Sequence, residues 1–269
     1  MGDPIQPRPA AAVPGNFIAD HCRRKHERPV RTISHPIRVY DPKWNELCHG
    51  QISDIIDSCD CCSDNKLRIG SETAGKMGAN GGRVDGDTVV VSIATLCEKI
   101  GDAGMRAACG AFYGPGSAKN EGFNVPSLPQ TKQAADIYAT TSILEDILKY
   151  LEPATPTKQD KNDKRGTPDK PGIRLCKVLI LTESPALVQS ISSDEFWVWK
   201  DGNFEMNKKD AVANGKLFMA LDDMMEKFWD QRKIPVWFWL VEKGTLQDAK
   251  GLASKRLEKI EAELILPSA

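Results

Sequence analysis

The chain has 269 residues, 41% of them hydrophobic, which is enough for one or two domains with a true core. Its 36 basic and 37 acidic residues leave a formal net charge of −1, so no global positive field draws it to a polyanion and any nucleic-acid contact must come from a local patch. No apolar run reaches the roughly 18 residues that a membrane-spanning helix needs. Met1-Gly2-Asp3-Pro4 opens neither a signal peptide nor, with Gln6 where Ser or Thr belongs, a myristoylation motif. A cytoplasmic or nuclear location without a membrane partner is the expectation. Eight cysteines in that setting are expected as reduced thiols or metal ligands rather than disulfides.

Residues 1–16 are rich in proline and offer little to pack, which predicts a disordered tail. Residues 17–86 read as an extension containing cysteine and histidine that ends in a glycine-rich linker. In it Cys22 and His26 stand one helical turn apart, Cys48 and His49 follow, and Cys59 and Cys62 have C-x-x-C spacing. One reading is a zinc site built from Cys22, His26, Cys59 and Cys62, with Cys61 making the choice of ligands ambiguous. The other is buried or incidental thiols. The stretch 70–86 is expected to be a flexible connector, because its glycines lack the Gly-Lys-Ser/Thr ending of a phosphate loop.

From Asp87 the pattern sharpens. Val89, Val90, Val91 and Ile93 predict a strand buried on both faces, and the small apolar residues from Arg106 to Tyr113 predict a second. Gly114-Pro115-Gly116-Ser117 turns the chain into an extended segment. After Pro129-Gln130-Thr131, helical spacing of Ile137, Thr141, Leu144, Leu148 and Leu151 runs until Pro153 stops it. A polar, charged insertion loop at 153–172 leads into a strand from Leu175 to Leu181, and Thr182-Glu183-Ser184-Pro185 starts a short helix. Trp197 and Trp199 read as braces for the next helix or as stacking platforms for bases. That helix shows Leu217, Leu221, Met224 or Met225, and Phe228 on one face. A strand at Val236–Val241 and a closing helix marked by Ala249, Leu252, Ala253, Leu257, Ile260 and Leu264 complete the order.

The segments VVVSIATLC, RAACGAFYGPGS and LPQTKQAADIYA, in this order and followed by these elements, resemble the ribonuclease H family over roughly residues 87–262, in particular a divergent form common in filamentous fungi. The resemblance implies an α/β fold across 87–264, a mixed five-stranded sheet of three antiparallel strands and then helix-linked parallel ones, flanked by helices. It also implies cleavage of the RNA strand of RNA–DNA hybrids by two divalent ions, Mg²⁺ for an active enzyme, held by four carboxylates.

Matched position by position, Ala94 stands where the first aspartate of Asp-Gly-x-Cys belongs, Asp136 at the glutamate of Gln-Arg-Ala-Glu-Leu, Glu183 at the third acid and Lys250 at the fourth. A methyl cannot bind a metal, and an ammonium opposes one. Lys250 is therefore expected to pair with Asp136 or Glu183. Asp102 and Asp87 are the alternative sources of a ligand, and one metal on Asp136 and Glu183 is the form a residual hydrolase would take. Gln130, Thr131, Lys132 and Gln133, at a helix start, are the candidate contacts to phosphate or 2′-OH, with ordinary helix capping as the other reading. Three functions are in view: a pseudoenzyme that binds nucleic acid such as an RNA–DNA hybrid, an active hybrid ribonuclease with an altered site, and a protein-interaction scaffold.

Overall fold

A computed structural model of the protein describes residues 38–45, 51–69, 75–126, 130–151, 177–204 and 214–265. The expected tail at 1–16, Cys22 and His26, Cys48 and His49, and the loop 153–172 lie outside the described residues.

In chain order the elements are α1 (Ile52–Ile55), β1 (Ile56–Ser58), β2 (Asn65–Ile69), β3 (Lys76–Met77), β4 (Arg83–Val84), β5 (Thr88–Lys99), β6 (Met105–Phe112) and β7 (Glu121–Asn124). Then come α2 (Lys132–Leu151), β8 (Lys177–Thr182), α3 (Pro185–Ser192), α4 (Asp194–Asp201), α5 (Gly215–Arg232), β9 (Val236–Leu240) and α6 (Gln247–Ile265). Five strands form one sheet in the order β7-β6-β5-β8-β9. Strands β5, β6 and β7 pair antiparallel, while β8 and β9 join parallel to β5, as the resemblance implies.

Strand β5 is the hub because both of its faces are buried. Val91 and Ile93 pack with Ile137, Leu144, Leu221 and Phe228 from α2 and α5. Val90 and Ala94 face the other way, into a second cluster with Leu179, Leu181, Trp239, Leu246 and Ala249. A strand sandwiched like this reads as a continuous apolar run, which is why TVVVSIA was recognisable. Capping sets the helix starts: Thr131 Oγ1 accepts from Ala134 N at 3.2 Å, Ser184 Oγ from Leu187 N at 3.3 Å, and Ser193 Oγ from Phe196 N at 3.3 Å. The two tryptophans serve as braces. Trp197 and Trp199 lie on α4 against the main core, and the Arg38 guanidinium stacks 4.5 Å from the Trp197 ring centre.

The structure departs from the expected linker. From residue 75 onward the glycine-rich stretch builds β3 and β4, which join β1 and β2 in a second sheet of order β1-β2-β4-β3. Glycine here provides close approach rather than slack: a Cβ on Gly78 would sit 2.7 Å from Asp57 Oδ2, and Gly81 turns the chain at φ +78°. Nor does the core end at residue 87. Ile55 at the end of α1 and Leu67 of this small sheet share the second cluster with Val90 and Leu181. Further upstream, Val39 bridges Phe238 in parallel, Tyr40 N donating to Phe238 O at 2.8 Å and Phe238 N to Arg38 O at 2.7 Å.

Candidate functional site

Two acids flank the hub strand, and each already holds a cation. Thr95 points to the α2 side, where its hydroxyl donates to Asp136 Oδ1. The Lys132 ammonium, one turn before Asp136 on α2, lies 2.9 Å from Thr95 Oγ1 and 3.2 Å from Asp136 Oδ1. Asp136 is buried, and its Oδ2 has no hydrogen-bond partner among the described residues.

Glu183 follows directly on β8. Its Oε1 accepts from Leu246 N at 2.8 Å, which ties it to the loop before α6, and its Oε2 lies 2.8 Å from the Lys250 ammonium on the first turns of that helix. Of the two pairings expected for Lys250, the structure selects Glu183. Burial works to raise the Glu183 carboxyl, but the hydrogen bonds from Lys250 and from the backbone of Leu246 and Gly244 outweigh it and hold the group below its ordinary 4.5. A depressed carboxylate stabilises the fold above its unfolded value, and that contribution is lost as pH falls through the lowered folded one. Lys250→Met is therefore expected to move the Glu183 titration upward and to reduce stability above pH 4.5, as read by carboxyl NMR and by melting at two pH values. An unchanged titration would mean the pair does not form in solution.

Neither alternative acid joins this group. Asp102 lies on an exposed turn, Gly101–Ala103, past the end of β5, and Asp87 stands before its start. Among the described residues, three or more metal-capable side chains gather only at Cys59, Cys61 and Cys62. Of the four-residue zinc set, Cys59 and Cys62 thus converge with Cys61, while Cys22 and His26 lie outside the described residues.

No family model matches the chain. Ribonuclease H1 of Rattus norvegicus is 26% identical over 143 residues, covering 52% of this chain and 41% of that protein. In sequence the chain is thus similar to ribonuclease H proteins. It spans less than half the length of that curated relative. Among solved structures, LC9-RNase H1, described as a type 1 RNase H with the type 2 active-site motif, is 15% identical with a TM-score of 0.41, over 65% of this chain and 74% of that one. The N-terminal RNase H domain from Mycobacterium tuberculosis, solved as a fusion with maltose-binding protein, is 13% identical with a TM-score of 0.34, over 66% and 99%.

Within the ribonuclease H frame, Thr95 occupies the place of the glycine in Asp-Gly-x-Cys. It is not an acid, yet its hydroxyl hydrogen-bonds the Asp136 carboxylate. The signal was present: a hydroxyl in place of hydrogen, next to a lost aspartate. The four candidate nucleic-acid contacts are partly occupied. Gln130 Oε1 accepts from Ala107 N at 2.7 Å and its Nε2 donates to Pro126 O at 3.0 Å, while Gln133 Oε1 accepts from Asn214 Nδ2 at 3.0 Å. Thr131 caps α2, and Thr131 and Lys132 are exposed.

Proposed function

We propose that this ribonuclease H relative binds nucleic acid without metal-dependent hydrolysis. The observation that carries the reading is the pair of ammonium groups seated on the two remaining acids, Lys250 on Glu183 at 2.8 Å and Lys132 on Asp136 at 3.2 Å. Two dications about 4 Å apart repel by roughly 15 kcal/mol at an effective dielectric of about 20, so their site needs converging, unspent carboxylates. Here a methyl stands at the bridging position, and each remaining acid already has a cation beside it. The donor set does not fit two Mg²⁺ ions, and the buried Asp136 Oδ2 is a single spare lone-pair donor.

Support for a nucleic-acid partner comes from the sequence relation to a protein named ribonuclease H1 and from the start of α2. There the exposed Thr131 and Lys132 sit at the N-terminus of a 20-residue helix, a favourable place for phosphate. The deciding assay incubates a labelled RNA–DNA hybrid with the full chain in Mg²⁺ or Mn²⁺. No cleavage above that of Asp136→Ala is expected, with binding that weakens as salt rises. Cutting that disappears in Asp136→Ala would replace this reading with an active enzyme. A second reading, a protein-interaction scaffold, draws on the net charge of −1 and on the small sheet lying over one face. Failure to bind hybrid at low salt would favour it.

A further inference from the structure

The loop between β1 and β2 places three sulfurs together in a part of the chain that the proposed function does not use. Cys59, Cys61 and Cys62 have Sγ atoms all within 4.8 Å of one another, and Cys59 and Cys61 approach to 3.0 Å. Zinc–sulfur bonds of about 2.3 Å in a tetrahedron put the sulfurs about 3.8 Å apart, so small rotations would accommodate an ion. The loop is held in shape by its backbone: Cys59 N donates to Asp64 O at 2.8 Å, Ser63 N to Cys59 O at 2.9 Å, and Ser63 adopts φ 58°. Cys59 is buried, while Cys61 and Cys62 are exposed, which leaves one side open to solvent.

The surrounding charge fits as well. Three thiolates around Zn²⁺ carry a net negative charge, and two lysines face them. The Lys76 ammonium lies 3.9 Å from Cys61 Sγ. Lys66 is 5% exposed, hydrogen-bonds Thr88 O, forms no ion pair among the described residues, and has Cys62, Asp64 and Cys59 as its compensating electrostatic neighbours. Asp64 is already bound to Lys119 at 2.6 Å. A buried ammonium next to neutral thiols is costly, and next to metal thiolates it is balanced.

We propose that Cys59, Cys61 and Cys62 bind one zinc ion as a three-thiolate site whose fourth position faces solvent. Each ligating thiol gives its proton to solvent and its sulfur lone pair to the ion, so no oxidant or reductant takes part.

The test titrates the reduced full chain with Co²⁺ and then Zn²⁺. A thiolate-to-cobalt charge-transfer band saturating at about one ion per chain and removed by zinc is expected. Losing a ligand should cost at least the 10–100-fold in affinity that an outer-shell partner costs, in Cys61→Ser and Cys62→Ser alike. Both positions are exposed, so these variants keep the fold, and Cys97→Ser should leave the titration unchanged. Absence of the band, or a band that survives Cys61→Ser combined with Cys62→Ser, would overturn the proposal, the latter because the ion would then sit on other cysteines. Activity on hybrids has no bearing on either outcome.

Discussion

Asp222→Ala is expected to cost about 3–5 kcal/mol and to lower the melting temperature by roughly 6–20 °C. Asp222 is 3% exposed and takes two cations at once, Arg38 at 2.5 Å on Oδ1 and Lys200 at 2.8 Å on Oδ2. Arg38 is itself buried, stacked on Phe196 and Trp197, with its NH1 lacking a partner among the described residues. Removing the carboxylate strands a guanidinium that cannot reach water without breaking the aromatic stack. Asp222→Asn keeps the volume and one hydrogen bond, so it should lose less. Urea or thermal unfolding of both variants checks the order, and a loss below about 1 kcal/mol for the alanine would mean Arg38 is solvated in the folded state.

The second large effect comes from a single methyl. Gly110 on β6 lies where α6 crosses the sheet, and a Cβ there would land on the Ala249 carbonyl oxygen and 2.8 Å from Ala253 N. Both are backbone atoms of a packed helix, so no side chain can swing aside. Gly110→Ala should therefore cost about 3 kcal/mol or more, because α6 must lift as a unit. Gly251→Ala, on α6 itself with nothing within 4 Å of its new Cβ, should instead stabilise by about 0.5–1 kcal/mol through helix propensity. Opposite signs in a denaturant melt would confirm the close crossing. Equal effects would remove it.

The large elements were legible because burial writes itself into them. The run Val89–Ile93, the spacing from Ile137 to Leu151 and the stripe from Leu217 to Phe228 each match a period, and each packs where that period implies. The small sheet was not legible. Its strands are two to five residues long, and Lys76-Met77 and Arg83-Val84 carry no alternation to detect, so their glycines looked like slack. At the candidate site, the sequence puts forward Asp136, Glu183 and Lys250. It could not say which acid Lys250 meets, since that depends on how α6 docks after Leu246. Thr95 escaped because hydroxyls are common and only its neighbour across the sheet gives it a role.

The contact of Tyr40 with Phe238 carries a consequence for how the molecule assembles. Residues 38–40 precede every strand of the five-stranded sheet, yet their backbone partner is β9, the last of its strands in chain order. A connection spanning most of the polypeptide must close before the sheet edge and the Arg38 anchor are in place, and its entropic cost comes before any reward. The order of synthesis thus runs against the order of assembly, and the exposed edge of β9 waits for a segment that appeared long before it.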